Sequence, residues 1–286
     1  MAIQFKRNTA VVVPKSYFKR TKTNIAAIDA LFGGGFVGGQ TLTVCGNRGA
    51  GKTQFMLQLI DACAKNDKSV GYMTCEETIE QIAYTANRIK VDVPISTFTT
   101  INEVLDVMDN MDILVLDSLS MVTITGNKRR LKFEEEAIDL LYDKAKKTNC
   151  IIFIVVHMTK NGTMKGSSYL GHKVDTNLHI ETVPEDDNDL RKIYTSKNRY
   201  GQSCEIIAAM TKTGYDFDAY NEFEDDFIEE DENDDEEVKP ESKKLNFILP
   251  PKTGKSKNIH KNSSGIVKFY HGVVRGLKYI DEFLSK

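Results

Sequence analysis

Short apolar runs rich in β-branched residues alternate, up to about Lys173, with segments whose apolar positions recur every three to four residues. Thr41 to Cys45 reads as the first core strand, and Thr53 to Ala64 as a helix with Phe55, Leu59 and Ala62 on one face. Ser69 to Thr74 predicts a strand and Ile79 to Ile89 a helix. A strand follows at Ile113 to Leu116, then a helix from Phe133 to Lys147 with Ala137, Ile138, Leu141 and Ala145 on one side, then a strand at Ile151 to Val156. Strands alternating with helices imply a parallel sheet covered by helices, an α/β fold. After Lys173 the rhythm changes to close-set strands, Thr176 to Ile180, Lys192 to Thr195, Glu205 to Met210 and Tyr215 to Phe217, which predict an antiparallel extension.

Beyond residue 221 the pattern stops. The 16 residues from Glu222 to Glu237 hold 12 carboxylates and no basic residue, and Lys239 to Lys286 carries a net charge of +8. Residues 1 to 221 therefore carry only +1 of the formal −3, so nucleic-acid binding there would depend on local patches. We expect residues 221–262 to form a disordered acidic-to-basic linker, because so few apolar side chains cannot offset the lost chain entropy. In residues 263–286, Ile266, Tyr270, Val273, Leu277, Ile280 and Leu284 recur as on one helical stripe, a possible interaction helix for a protein partner. Gly272 and Gly276 oppose that helix by about 1 kcal/mol each.

Cys45, Cys63, Cys75, Cys150 and Cys204 stand singly, without metal-module spacing, and read as reduced core residues. With no long apolar run, a cytoplasmic protein (host cytoplasm if viral) without a membrane anchor is expected.

Gly46-Asn47-Arg48-Gly49-Ala50-Gly51-Lys52-Thr53 fits G-x-x-x-x-G-K-[ST] between a strand and a helix. Glycines let backbone N–H groups turn inward around phosphates, and the helix N-terminus adds positive potential. Lys52 would reach the β- and γ-phosphates and Thr53 would offer its hydroxyl to Mg²⁺. ATP and Mg²⁺ are the implied ligands. Asp117 ends an apolar strand, as a second magnesium contact would; a plain turn residue is the other reading. Glu76 and Glu77 follow a strand at the edge where open α/β sheets place ligands. Glu76 could orient a water, or the pair could simply start the next helix. His157 ends its strand either as a γ-phosphate sensor or as a structural residue.

The stretches Phe18 to Gly35, Tyr72-Met-Thr-Cys-Glu-Glu-Thr, Leu116-Asp-Ser, Val156-His-Met-Thr-Lys-Asn-Gly, Leu170 to Glu181 and Lys197-Asn198-Arg199-Tyr200-Gly201 resemble the RadA/Sms-type DNA recombination ATPases, relatives of RecA and of DnaB-type helicases. The resemblance implies a RecA-like core over residues 1–220, with Glu76 catalytic, Asp117 on magnesium and His157 a sensor. It also implies that Lys197 and Arg199 reach the ATP of a neighbouring subunit, hence a homo-oligomer, ring or filament. Single-stranded DNA would lie on the loops Thr125 to Lys132, with Lys128, Arg129, Arg130 and Lys132, and Thr159 to Lys173, with Lys160, Lys165 and Lys173. A charged surface without DNA is the other reading of those cations. Asn24 stands where the family usually has Gly, and neither the family's four-cysteine zinc module nor its Lon-like domain is present in the sequence. The expected function is an ATP-dependent, helicase-like motor on single-stranded DNA in recombination, repair or replication. A DnaB-type replicative helicase and a KaiC-like regulatory ATPase without DNA are the alternatives.

Overall fold

Strands buried on both faces read as continuous apolar runs, and here they build the middle of a sheet. The structure, a computed structural model, describes residues 7–119, 130–158, 168–183 and 189–218. The linker and terminal helix expected after residue 220 lie outside them. In chain order the elements are β1 (Arg20–Thr21), α1 (Ala26–Leu31), β2 (Phe36–Val37), β3 (Thr41–Gly46), α2 (Lys52–Ala64), β4 (Val70–Thr74), α3 (Ile79–Ile89), β5 (Ile95–Thr97), α4 (Ile101–Val107), β6 (Ile113–Asp117), α5 (Arg130–Thr148), β7 (Ile151–His157), α6 (Ser168–Lys173), β8 (Thr176–Thr182), β9 (Leu190–Asn198), β10 (Glu205–Thr211) and β11 (Gly214–Asp216).

Nine strands form one sheet in the order β11-β10-β9-β8-β3-β7-β6-β4-β5, and β1 pairs with β2 separately. From β8 to β5 every pairing is parallel; β9, β10 and β11 run antiparallel. The expected mainly parallel sheet is observed, with one refinement: Thr176–Thr182 joins β3 in parallel, and the antiparallel part begins only at β9.

Alternation along the strands sorts the core onto two faces. Val44, Tyr72, Val115, Phe153 and Leu178 pack under α1, α2 and α3. Cys45, Met73, Leu114, Leu116, Ile152 and Ile154 pack under α4 and α5. Cys45, Cys63 and Cys150 are buried free thiols as expected, whereas Cys75 and Cys204 are half-buried. Among the described residues no helix is long and apolar enough to cross a membrane.

Asn24 sits at φ 60°, the left-handed region that Asn tolerates better than most residues. Its Nδ2 donates to Asn66 Oδ1 at 2.7 Å, anchoring the turn before α1. Where the resemblance implies Gly, an Asn adopts this backbone.

Helix α3 begins with a capping box. Thr78 Oγ1 accepts from the Gln81 N–H and Gln81 Oε1 accepts from the Thr78 N–H. Thr78→Ala is expected to cost about 1 kcal/mol, read as a lower urea midpoint with an unchanged slope. The cap also fixes where the preceding Glu76-Glu77 turn ends.

Candidate active site

Parallel register aligns the carboxyl ends of the central strands. Gly46 pairs with His157 and Thr74 with Asp117, so β3, β7, β6 and β4 finish at one edge. The residues that follow them line one cleft of about 420 Å³: Arg48, Gly49, Gly51, Lys52, Thr53, Glu76, Glu77, Asp117 and His157, with Gln54, Thr85, Arg88 and Met210. Residues far apart in sequence are thus gathered where open α/β sheets bind ligands.

The glycine-rich loop leaves β3 and opens α2, with Gly51 as N-cap at φ 92°. Such a φ strains any side chain, so only glycine lets the loop turn there without cost. Lys52 is buried, and its Nζ donates to Gly46 O at 2.9 Å and Asn47 O at 3.0 Å. Burial lowers its pKa, while the Asp117 and Glu76 carboxylates pull it back up. Two neutral carbonyls are modest partners for a buried ammonium, and phosphate oxygens in their place would be stronger ones.

Glu76 is held from two sides. Its carboxylate accepts from Ser118 Oγ, and both its oxygens face His157 Nε2, at 3.0 and 2.8 Å. The other ring nitrogen, Nδ1, is buried without a hydrogen-bond partner among the described residues. The Glu76 and Glu77 N–H groups both donate to the buried Thr74 hydroxyl. Asp117 is buried and accepts the Tyr72 hydroxyl at 2.6 Å. That bond ties the middle of β4 to the end of β6.

Burial raises the pKa of Asp117, and the nearby Glu76 carboxylate adds to the rise. Glu77 is raised by burial and then by Asp117 and Glu76. Three crowded carboxylates create a demand for positive charge. Among the described residues no group of three His, Cys, Asp or Glu side chains could hold a metal alone. One hydroxyl and one carboxylate, Thr53 and Asp117, match a hard cation such as Mg²⁺ that takes its remaining ligands from phosphate and water.

The other expected site residues fall elsewhere. In the register of β8 and β9, Lys197 faces Asn177, at the amino end of the parallel strands and so opposite the glycine-rich loop of the same chain. Lys197 Nζ donates to Gly171 O, His172 O and Val174 O, at 3.2, 2.7 and 2.6 Å. Arg199 pairs with the buried Asp175 at 3.1 Å. Lys128, Arg129, Lys160 and Lys165 lie outside the described residues. Arg130 and Lys132 stand on α5 and Lys173 on α6, a correction to the two loops expected there. The Arg130–Glu134 pair at i,i+4 and stacking on Phe133 favour helix at the first site. Lys173 bonds Asp139 at 2.6 Å.

Tyr72, Thr74 and Ser118 lie within the stretches that carry the resemblance but were given no role from sequence. Gln54 and Arg88 were also missed; Arg88 donates to Gln54 Oε1 at 3.1 Å across the cleft wall.

Comparison with known proteins places this arrangement. A family model described as "ATPase: KaiC" matches residues 21–97. A solved structure described as an ATPase domain superposes with TM-score 0.60 at 11% identity, covering 68% of this chain and 90% of that one. A KaiC-like protein of Pyrococcus horikoshii superposes with TM-score 0.57 at 18% identity, covering 69% and 97%. The fold is thus that of RecA-like ATPase domains, and the family-model match adds residues 21–97 of the chain to that likeness. Within that class the chain is homologous to proteins named DNA repair protein RadA. It is 29% identical to that of Haemophilus influenzae over 204 residues, 68% of this chain and 44% of the relative. To that of Listeria monocytogenes it is 32% identical over 196 residues, 66% and 42%. The chain thus spans less than half the length of these curated relatives.

Proposed function

We propose that the chain is a magnesium-dependent ATPase that acts on single-stranded DNA in recombination, repair or replication, assembled as a homo-oligomer. The observation that carries the chemistry is the convergence of Lys52, Thr53, Glu76, Asp117 and His157 on one cleft. Thr53 and Asp117 are the residues that would hold Mg²⁺, which supplies positive charge against the charge developing on the transferred phosphoryl group. Lys52 turns from its loop carbonyls to the phosphates. Glu76 orients the attacking water, and His157 reads the state of that carboxylate.

DNA enters through the likeness to proteins named for DNA repair. The placement of Lys197 and Arg199 opposite their own loop suits residues that serve another subunit's nucleotide. The cations from Lys128 to Lys132 and from Lys160 to Lys173 supply the DNA contacts. The basic terminal segment is the element available to a protein partner. We place the protein in the cytoplasm.

Steady-state hydrolysis with and without single-stranded DNA, at two salt concentrations, tests this reading. We expect several-fold stimulation that fades as salt rises, because phosphate neutralisation releases counterions. The match to "ATPase: KaiC" favours one rival, a regulatory ATPase that assembles protein. Turnover indifferent to DNA would select it.

A further inference from the structure

The glycine-rich loop is gripped from outside by the antiparallel extension. Tyr215, on β11, donates its hydroxyl to Ala50 O at 2.9 Å, and Arg191, on β9, donates Nε to the same oxygen at 3.2 Å. Both side chains are buried. Two donors fill both lone pairs of one carbonyl, an uncommon commitment for a loop residue.

We infer that Arg191 and Tyr215 are positioning residues for the nucleotide site, setting the direction of the Ala50–Gly51 peptide and through it a backbone donor to phosphate. The step rests on the nucleotide reading above. In a trans peptide the C=O and the following N–H point opposite ways. Ala50–Gly51 is trans, so holding its oxygen toward the extension turns the Gly51 N–H the other way, and Gly51 lines the cleft.

Further contacts hold the grip in place. Arg191 Nη1 is fixed by Asp189 Oδ1 at 2.7 Å and by the Asp189 and Leu190 carbonyls. The Tyr215 backbone pairs both ways with the Gln58 amide of α2, at 2.6 and 3.2 Å. Its ring packs on Phe55 and stacks on Phe217. A Cβ on Gly51 would collide with the Tyr215 hydroxyl and come within 2.9 Å of Met210 Sδ, so the loop runs directly beneath the extension. Burial pushes the Tyr215 phenol well above its ordinary pKa, which keeps it a donor.

Tyr215→Phe keeps the ring and removes one donor; Arg191→Met removes the other, and Arg191→Lys restores an amine. With the full chain and a fluorescent ADP analogue, Tyr215→Phe is expected to weaken affinity about 2- to 10-fold. Arg191→Met should weaken it more, with partial recovery in Arg191→Lys. A purely structural role would lower Tm without ligand. A positioning role leaves that Tm nearly unchanged in Tyr215→Phe and shrinks the rise produced by saturating ADP at a fixed concentration. Should Arg191→Met fail to fold, Tyr215→Phe decides alone. Wild-type affinity and the full ADP-induced rise in Tyr215→Phe would overturn the brace while leaving the nucleotide reading intact. A wild-type chain that binds no ADP would overturn both.

Discussion

Lys52→Ala is expected to lower ATP hydrolysis by about 100-fold or more, the scale on which removal of a single positioned donor is felt in a water-poor site. The structure gives this expectation its physical basis. The ammonium is buried, and burial lowers its pKa while the Asp117 and Glu76 carboxylates pull it back up. A buried cation whose acceptors among the described residues are Gly46 O and Asn47 O is poised to exchange them for anionic oxygens. Alanine removes the cation and also strands those two carbonyls. A modest loss of Tm without nucleotide is therefore part of the expected outcome, and the ADP-induced rise in Tm should largely vanish. Lys52→Arg would retain charge but not shape, since a planar guanidinium cannot fold back over the loop as an ammonium does. Wild-type turnover in Lys52→Ala would remove the loop from the chemistry.

The legible part of this molecule was the part whose signal is local. Strands β3, β6 and β7 announced themselves because burial on both faces leaves them almost wholly apolar or β-branched, with carboxylate or imidazole side chains only at their ends. The edge strand β5 did not, being three residues long and largely uncovered. Helix α4 is only seven residues long and shows too few turns to establish a period. The parallel pairing of β8 was hidden for a different reason: its sequence says strand, but its direction is set by where α6 returns the chain to the sheet.

The site divides in the same way. The glycine-rich loop carries a signature of its own, whereas Glu76, Asp117 and His157 each read locally as either functional or structural strand-end residues until strand register brings them to one edge. Tyr72 and Ser118 become visible only when β4 and β6 are set side by side. Arg191 and Tyr215 contact the loop from 141 and 165 residues away, and no local pattern marks a side chain whose partner is a distant carbonyl. Lys197 and Arg199 show the converse limit. Their motif was readable, but their intramolecular partners on and after α6 were not.

Glu76→Gln is expected to separate binding from chemistry. The change is nearly isosteric, so Ser118 Oγ can still donate to the remaining carbonyl oxygen. The face toward His157 changes more, because the amide nitrogen donates where a carboxylate oxygen accepted. Loss of a positioned base typically costs about 10²- to 10⁴-fold, and single-turnover hydrolysis should fall within that range. Affinity should hold or improve. Glu76 raises the pKa of both Asp117 and Glu77 by repulsion, and removing its charge relieves that crowding and the repulsion of an anionic nucleotide. The two carboxyls should then titrate at lower pH than in the wild type. Fluorescent-nucleotide binding measured beside single-turnover rates distinguishes the outcomes. Slow hydrolysis with intact binding assigns the water to Glu76. Unchanged hydrolysis would leave Glu76 as part of the turn into α3, and the same substitution at Glu77, the other carboxylate of that turn in the cleft, would become the decisive variant.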